Sequence, residues 1–223
     1  MNCKINNSNQ NNIAFKTKIV FLSPKGFNKA FGGWKNKNFA NICHFDITNN
    51  KNDWYSCYRT NIKRGYTKGI KTCTAGVCIN KGKKAPLFWH IENKLANIEN
   101  FPIISNIIKG TNAIIIGSKS NYKLSKALFE KFVEEMKTKN IPTTIMQGTK
   151  HSEAHIMYEA TNDTLYICMN DIYKKDNYVK SMENLQQTCD IVKISPNDNI
   201  EFYDTLPQET IKQKIKNLIH KIF

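Results

Sequence analysis

Short apolar runs bounded by polar turns dominate the pattern along the chain, and such runs predict β-strands. The first clear run is 19–22, directly before a Ser-Pro pair. The runs 73–79 and 87–91 flank a short turn rich in Gly and Lys, and they predict a β-hairpin. The runs 154–158 and 164–169 flank a polar turn and predict a second hairpin.

A β-α-β unit is predicted between these two hairpins. The run 113–117 has the composition of a buried strand. Ser120 or Asn121 is expected to cap a helix that runs to about Lys139, because apolar residues recur there at helical spacing. A Pro then precedes a further strand at 143–146.

The two ends of the chain have different patterns. Residues 1–15 are polar and rich in Asn, and they predict a disordered leader. Residues 205–208 form a capping box with Pro in the first turn, and the apolar residues that follow predict a C-terminal helix. We therefore expect a single α/β (α+β) domain over 16–223, with a mixed, largely antiparallel sheet or sandwich and flanking helices.

Residues 24–52 are rich in Gly, Asn and Lys, and they predict a long loop that carries irregularly spaced aromatic residues. These aromatic residues are Phe27, Phe31, Trp34, Phe39 and Phe45. Two interpretations are open. The rings stack on nucleic-acid bases at the surface, or they anchor the loop onto the core, which is the commoner role of such residues.

The charge of the chain favours acidic partners. Lys and Arg outnumber Asp and Glu by 33 to 18 among 223 residues, which gives a formal net charge of +15. Nucleic acid, an anionic membrane surface or an acidic protein would all be attracted. The basic residues are scattered among abundant Asn, a pattern more typical of compositional bias than of a phosphate-binding stripe. A nucleic-acid partner is therefore left open.

Seven cysteines are spread along the chain without a CxxC pair. Their odd number and their spacing fit neither a disulfide framework nor a zinc ribbon, and they indicate a reducing, cytoplasmic compartment. No apolar run approaches the roughly 20 residues of a membrane span, and residues 1–12 lack the apolar centre of a secretory signal. We expect no membrane span, no metal and no cofactor, while the oligomeric state is not predicted.

Cys73 and His90 are the residues best suited to carry chemistry. A cysteine nucleophile reacts as the thiolate, so it needs a base or a positive charge beside it, and His is the usual partner. The two residues belong to opposite strands of the first hairpin, where antiparallel pairing brings opposed residues to within about 5 Å. The structural alternative makes Cys73 and Cys78 small core residues and His90 a buried histidine beside Trp89.

Two further groups would complete such a site. Residues 67–72 predict a turn before Cys73, which would expose the backbone N–H of Cys73 as a donor to an oxyanion. The hydroxyl of Thr67 can accept a hydrogen bond from the ring of His90 and so hold the imidazole in one tautomer. The residue type alone indicates this role of Thr67 only weakly.

The pattern Thr67-x5-Cys73-x16-His90 resembles the catalytic Thr, Cys and His arrangement of the chemoreceptor glutamine deamidase CheD. The Cys73-Thr74 pair, the β-run after it, the turn of Gly and Lys and the aromatic-flanked His are also similar to the cytotoxic necrotizing factors and the Burkholderia lethal factor. The resemblance covers about residues 65–170 and consists of the order of elements and three residues. Lys71-Thr72 departs from the Gly or Ser-Gly turn that these proteins carry before the nucleophile.

The resemblance implies a CheD-like core and a protein glutamine deamidase. Cys73 would attack the side-chain carboxamide of a Gln on a partner protein, His90 would move the proton, and Thr67 would orient His90. The partner would lie in the same cell or, for a bacterial toxin or effector that leaves by a specialised route, in the host cytosol. The same dyad also serves Cys proteases and transglutaminases. The alternative from another class is a non-catalytic basic protein that binds RNA or an anionic surface.

Two other patterns indicate chemistry more weakly. His151 and His155 are four residues apart, which would suit a metal on a helix, but they lack the Glu of a zinc-protease motif and precede a predicted strand. Residues 117–120 follow a strand and open a helix, as phosphate-binding loops do, and Gly32-Gly33 is a second glycine pair of that kind. Without the leading glycines of a Walker loop, an ordinary turn is favoured at 117–120.

Overall fold

The computed structural model describes residues 17–31, 40–41, 55–59, 64–79, 87–91, 93, 112–117, 121–173, 177–195 and 198–207. The leader at 1–15, the turn of the first hairpin and the C-terminal helix, all predicted from the sequence, lie outside these residues. Within them the chain has a mixed α/β fold, which confirms the predicted fold class.

Strands outnumber helices in the described part of the chain. The strands are β1 (Lys18–Leu22), β2 (Ala40–Asn41), β3 (Tyr55–Arg59), β4 (Arg64–Ile70), β5 (Thr74–Ile79), β6 (Leu87–Ile91), β7 (Asn112–Gly117), β8 (Thr143–Gly148), β9 (Ser152–Glu159), β10 (Thr164–Asp171), β11 (Cys189–Lys193) and β12 (Asn199–Tyr203). The helices are α1 (Pro24–Phe31), α2 (Lys123–Thr138) and α3 (Met182–Thr188).

The strands form two six-stranded sheets. The first sheet has the order β12-β1-β10-β9-β4-β2, and the second has the order β11-β8-β7-β5-β6-β3. Strand β1 runs parallel to β10 and β12, β2 runs parallel to β4, and β7 runs parallel to β8. The other paired neighbours are antiparallel, in agreement with the predicted mixed and largely antiparallel arrangement.

The two sheets pack face to face around a shared apolar core. Ile19 and Ile156 enter this core from the first sheet, and Val77, Ile116 and Met146 enter it from the second. All five side chains are fully buried. Successive residues of a strand point to opposite faces, so each strand also presents residues to the outside of the sandwich.

Helices cover the outer faces of both sheets. Phe129 and Phe132 of α2 pack with Trp89 on the outer face of the second sheet, where the rings of Trp89 and Phe132 stack at 5.5 Å. Phe27 of α1 packs on the outer face of the first sheet with Tyr166. The result is a sandwich of four layers, helix on sheet on sheet on helix.

Both predicted hairpins and the β-α-β unit are confirmed. Strand β5 pairs antiparallel with β6, and β9 pairs antiparallel with β10. Strands β7 and β8 are parallel neighbours joined through α2. The N-cap of α2 is Tyr122, which makes no side-chain capping bond, so the prediction of Ser120 or Asn121 as the cap is wrong.

The predicted loop after β1 begins instead with helix α1. Gly26 lies inside this helix, and it faces the backbone of Asp204 so closely that a Cβ at this position would lie 1.9 Å from the Asp204 carbonyl oxygen. Ser23 supports the contact, because its hydroxyl accepts from Gly26 N at 3.0 Å and donates to the same carbonyl at 2.8 Å. The glycine therefore serves close packing rather than a turn.

The aromatic residues of α1 belong to the core. Phe27 is 4% exposed, and its ring meets that of Phe31 edge to face at 4.9 Å. The anchoring interpretation is confirmed for Phe27, and a base-stacking role for this ring is excluded by its burial. Trp34, Phe39 and Phe45 lie outside the described residues.

Candidate active site

The chain crosses from one sheet to the other immediately before Cys73. Strand β4 ends at Ile70 in the first sheet, and β5 begins at Thr74 in the second. Residues 71–73 form the bend between them. The sequence predicted Cys73 as the first residue of the strand, but Cys73 lies in the bend, one residue before the strand begins. The predicted turn before the nucleophile is thus a crossover between the two layers.

Two contacts hold this bend in place. Ser125 of α2 is fully buried, and its hydroxyl donates to the Thr72 carbonyl oxygen at 2.7 Å. Gly117, at the end of β7, has φ +117°, and a Cβ there would lie 2.7 Å from the Cys73 carbonyl oxygen and 2.3 Å from Cγ2 of Ile70. Only glycine allows this backbone conformation and this approach. Sequence reasoning missed both supports.

His90 lies on the strand that pairs with β5. His90 is directly opposite Ala75, and Ala75 follows Cys73 by two residues. Residues two apart along a strand lie on the same side of the sheet, and directly opposed residues of an antiparallel pair share that side. Ala75 belongs to the core between the sheets, and so does Phe88, which precedes His90 by two residues in the same strand. His90 therefore faces the inside of the sandwich, beside the bend.

Thr67 meets His90 from the opposite sheet. It pairs with Ile156 of β9, whose side chain is part of the inter-sheet core. Thr67 Oγ1 lies 2.6 Å from His90 Nδ1, and the two residues are 0% and 2% exposed. The structure thus joins two of the three predicted residues by a hydrogen bond across the sandwich and places the third, Cys73, on the adjoining bend.

Burial controls the charge of the imidazole. It lowers the pKa of His90 from 6.5 to about 4, because the charged ring is poorly solvated inside the sandwich. His90 is therefore neutral at neutral pH and has the protonation state of a base. The bond at Nδ1 fixes the plane of the ring between the sheets.

Cys73 differs from the other free cysteines that the structure describes. Cys78, Cys168 and Cys189 are buried, whereas Cys73 is partly exposed. Burial raises the pKa of both Cys168 and Cys189 to about 12, so their thiols remain protonated and unreactive. The interpretation of Cys78 as a small core residue is confirmed, and the same interpretation does not fit the exposure of Cys73.

His155 supports the strand that carries Thr67. Strand β4 has an irregular register between Thr67 and Ile70, and Gly69 within this stretch has φ +71°. The backbone N–H of Gly69 donates to Nδ1 of His155 at 3.1 Å. Burial, opposed by Glu153 and reinforced by two lysines, lowers the pKa of His155 and keeps Nδ1 available as an acceptor. No local sequence signal indicated this role.

The weaker sequence candidates have different outcomes. His155 lies in strand β9 and His151 in the turn before it, so the two do not share the helix that a metal pair of this spacing would need. Residues 118–120 and 32–33 lie outside the described part of the chain. Among the described residues, no group of three or more His, Cys, Asp and Glu side chains is placed to hold a metal ion.

Comparison of the sequence with models of known protein families finds no match, and comparison with curated proteins finds no similar sequence. Of the helices described here, none has the length and apolar character needed to cross a membrane. The resemblance to the glutamine deamidases therefore continues to rest on three residues and on the order of elements.

Proposed function

We propose that this protein is a cysteine-dependent amidohydrolase that deamidates a glutamine side chain of a partner protein. One observation carries the proposal: the buried 2.6 Å hydrogen bond between Thr67 Oγ1 and His90 Nδ1, formed beside the bend that presents Cys73. A cysteine hydrolase needs a base and a group that orients the base. The bond between His90 and Thr67 supports these two roles.

The reaction begins with attack by Cys73. With Nδ1–H donating to Thr67 Oγ1, the lone pair of His90 Nε2 takes the thiol proton while Sγ bonds to the carboxamide carbon. The tetrahedral intermediate then collapses: the C–N bond breaks, His90 returns the proton to the leaving nitrogen, and ammonia departs. A thioester between Cys73 and the glutaminyl carbonyl remains.

Water completes the cycle. His90 takes a proton from the attacking water, the C–S bond breaks, and the proton returns to the Cys73 sulfur. The products are a free enzyme and a Glu side chain on the partner. A neutral imidazole is needed at both steps, and the low pKa of about 4 that burial imposes on His90 supports this protonation state.

The first experiment measures the reactivity of Cys73. Iodoacetamide labelling of the native protein between pH 5 and 9, read by peptide mass spectrometry, compares the wild type with His90→Asn. The buried Cys78, Cys168 and Cys189 are internal controls. We expect selective labelling of Cys73 near pH 7 and a loss of about 100-fold in rate without the base. Equal rates in the two proteins would exclude an activated dyad.

The second experiment identifies the reaction. β-Casein, an unfolded protein with many glutamines, is incubated with the wild type and with Cys73→Ser. Ammonia release together with Gln-to-Glu conversion, absent in the variant, is the expected result. Peptide fragments without ammonia would indicate a protease, and incorporation of monodansylcadaverine would indicate a transglutaminase. If the protein is a toxin or effector, the true target lies in a host cytosol.

A further inference from the structure

Strand β4 contains a β-bulge just before the bend that carries Cys73. Thr67 is opposite Ile156 of β9, and Ile70 is opposite Ala154. Three steps along β4 thus match two steps along β9, so β4 has one extra residue between these two pairs. Two residues of one strand opposite a single residue of its partner define a bulge.

The bulge allows both Thr67 and Ile70 to face the inside of the sandwich. In a regular strand, residues three positions apart point to opposite faces of the sheet. Thr67 instead meets His90 in the interior at 2.6 Å, and Ile70 belongs to the core between the sheets. Without the extra residue, one of the two side chains would turn outward. The bulge therefore determines both the partner of His90 and the start of the bend at 71–73.

His155 holds the bulge from the outer face of the first sheet. It lies on β9 between Ala154 and Ile156, which both face the core, so alternation along the strand directs His155 outward. Its Nδ1 accepts the backbone N–H of Gly69 at 3.1 Å. Gly69 has φ +71°, a conformation typical of glycine in a bulge. A side chain thus supplies an acceptor to the backbone at the point where the register shifts.

A second residue of the same face reaches the bend itself. Glu153 precedes His155 by two residues, so the two side chains lie on the same side of β9. Glu153 Oε2 lies 3.4 Å from Nζ of Lys71, the first residue of the bend. A half-exposed ion pair of this kind contributes little to stability. The hydrogen bond between Gly69 and His155 is therefore the contact that we expect to hold the bulge.

The charge of the His155 ring decides whether Nδ1 can accept. A neutral imidazole has one accepting nitrogen, whereas both nitrogens of the protonated ring donate. Burial lowers the pKa of His155, and Glu153 on the same strand opposes this effect. Lys68 and Lys71 lower the pKa further. Cys168 of β10 is opposite His155, and burial raises the pKa of Cys168 to about 12, so it faces His155 as an uncharged thiol.

We propose that His155 is a positioning residue for the reaction at Cys73. Its neutral Nδ1 holds the bulge, and the bulge aligns Thr67 with His90 and starts the bend that presents the thiol. Protonation of His155 removes the acceptor, so the site loses this alignment as the solution becomes acidic. This inference rests on the proposed function, because it assumes that His90 activates Cys73.

Two substitutions separate the acceptor from the bulk of the side chain. The amide oxygen of His155→Asn is attached to Cγ, as Nδ1 is, so it can accept from Gly69 at the same place and does not titrate. His155→Leu has a side chain of similar size without an acceptor. The measurement is the iodoacetamide labelling rate of Cys73 in the folded protein near pH 7, while Cys78 and Cys189 report any opening of the fold. We expect labelling about tenfold slower in the Leu variant, because the dyad is displaced, and a rate close to that of the wild type in the Asn variant.

His151→Leu is the matched control, because His151 lies in the turn before β9 and not opposite the bulge. Its Cys73 labelling should match that of the wild type. Equal labelling of Cys73 in the wild type and in His155→Leu would overturn the proposal. Equally slow labelling in the Leu and Asn variants would also overturn it, because the shape of the ring and not its acceptor would then be responsible.

The pH profile is a readout that a purely structural contact would leave unchanged. NMR of the ring protons follows the protonation of His155 between pH 4.5 and 8, and the signal that is missing in His155→Asn gives the assignment. The ratio of the wild-type labelling rate to the Asn rate cancels the titration of Cys73 and His90, which both proteins share. We expect this ratio to fall as His155 gains its proton. A ratio that stays constant through the midpoint of the His155 titration would contradict the proposed role.

Ammonia release from β-casein distinguishes this inference from the proposed function. Cys73 labelling that depends on the His155 acceptor, found without ammonia release, would support the positioning role and reject the deamidase. Ammonia release that is unchanged in His155→Leu would support the deamidase and reject the positioning role.

Discussion

At the scale of single residues, the hydrogen bond between Thr67 and His90 can be tested for a role in catalysis as well as in stability. Thr67→Val keeps the shape of the side chain but leaves Nδ1 of the buried His90 without its partner at 2.6 Å. We expect a loss of about 1–3 kcal/mol in the free energy of unfolding, measured with urea. If Thr67 orients a base, the labelling rate of Cys73 falls as well, and Thr67→Ser restores most of it. A stability loss with unchanged Cys73 reactivity would limit Thr67 to a structural role.

The pH dependence of stability tests the burial of His90. Its pKa is about 4 in the fold and 6.5 when unfolded, so the unfolded chain binds the proton first as pH falls. The stability is fully present above pH 6.5 and is lost as pH falls toward 4. A shift of this size corresponds to about 3 kcal/mol. Urea unfolding at pH 7 and pH 4.5 should show a smaller pH-dependent loss for His90→Asn than for the wild type, and parallel losses would contradict the assignment.

The candidate site could be predicted only in part from the residues themselves. Cys73 and His90 could be predicted as a pair because two apolar runs around a short turn indicate a hairpin, which brings its two strands together. Thr67 was proposed chiefly through a resemblance, since its bond to His90 joins different sheets, and inter-sheet pairing leaves no period in the sequence. Ser125 and Gly117 gave no signal, because each acts through contact with a backbone segment distant in the chain.

At the scale of elements, the bend at 71–73 depends on the end of β7. Gly117→Ala would add a Cβ 2.7 Å from the Cys73 carbonyl oxygen in a backbone conformation with φ +117°. We expect a loss of about 3 kcal/mol or more in the free energy of unfolding, together with slower labelling of Cys73 as the bend is displaced.

Gly69→Ala is the matched control for that substitution. Gly69 also has positive φ, at +71°, but its added Cβ would meet only Glu153 Oε1 at 3.8 Å. Left-handed strain alone should cost about 1–2 kcal/mol there. Denaturant unfolding and Cys73 labelling of both variants would show whether the clash adds to the strain. Equal effects at Gly69 and Gly117 would mean that contact with the bend is unimportant.

Elements with a complete local pattern were predictable, and elements defined by tertiary contacts were not. The two hairpins and the β-α-β unit have apolar runs, turn residues and helical spacing that agree with one another. Helix α1 begins with Pro24 after Ser23, which is a helix-start signal, but Gly26 and a length of only eight residues leave its pattern incomplete, and its stability comes from packing on the sheet. Strand β11 is an edge strand with mostly exposed or half-buried residues, which leaves no apolar run to detect.

At the scale of the whole molecule, the candidate site and a hydrogen bond between the two layers lie at opposite ends of the sandwich. Cys73 lies at the end where β7 and β8 finish, because Thr74 is opposite Gly117 and Gly117 is opposite Gln147. Thr144 lies near the start of β8, and its hydroxyl donates to Asp198, which precedes β12. Thr144 belongs to the second sheet and Asp198 adjoins the first, so their hydrogen bond ties the layers together at the end away from Cys73. This separation allows stability to be altered at one end while reactivity is read at the other.

Asp198 provides that test through pH. Burial, and after it the charge of Asp163, raises the pKa of Asp198 from 3.8 to about 7. Because the folded protein holds this proton more tightly, the contribution to stability is present below pH 3.8 and is lost as pH rises through 7. Its slope is opposite to that of His90, and the two partly cancel between pH 4 and 6.5.

Asp198→Asn should therefore raise the melting temperature more at pH 8 than at pH 5, because the amide removes the cost of a buried carboxylate and still accepts from Thr144. The Cys73 labelling rate should stay at the wild-type value, since the change is made at the far end of β8. Glu183→Gln, at an exposed site on α3, is the control for a simple change in net charge. An equal shift in melting temperature at both pH values would show that Asp198 is already ionised in the fold at pH 5, and slower Cys73 labelling would show that the two ends of the sandwich are coupled.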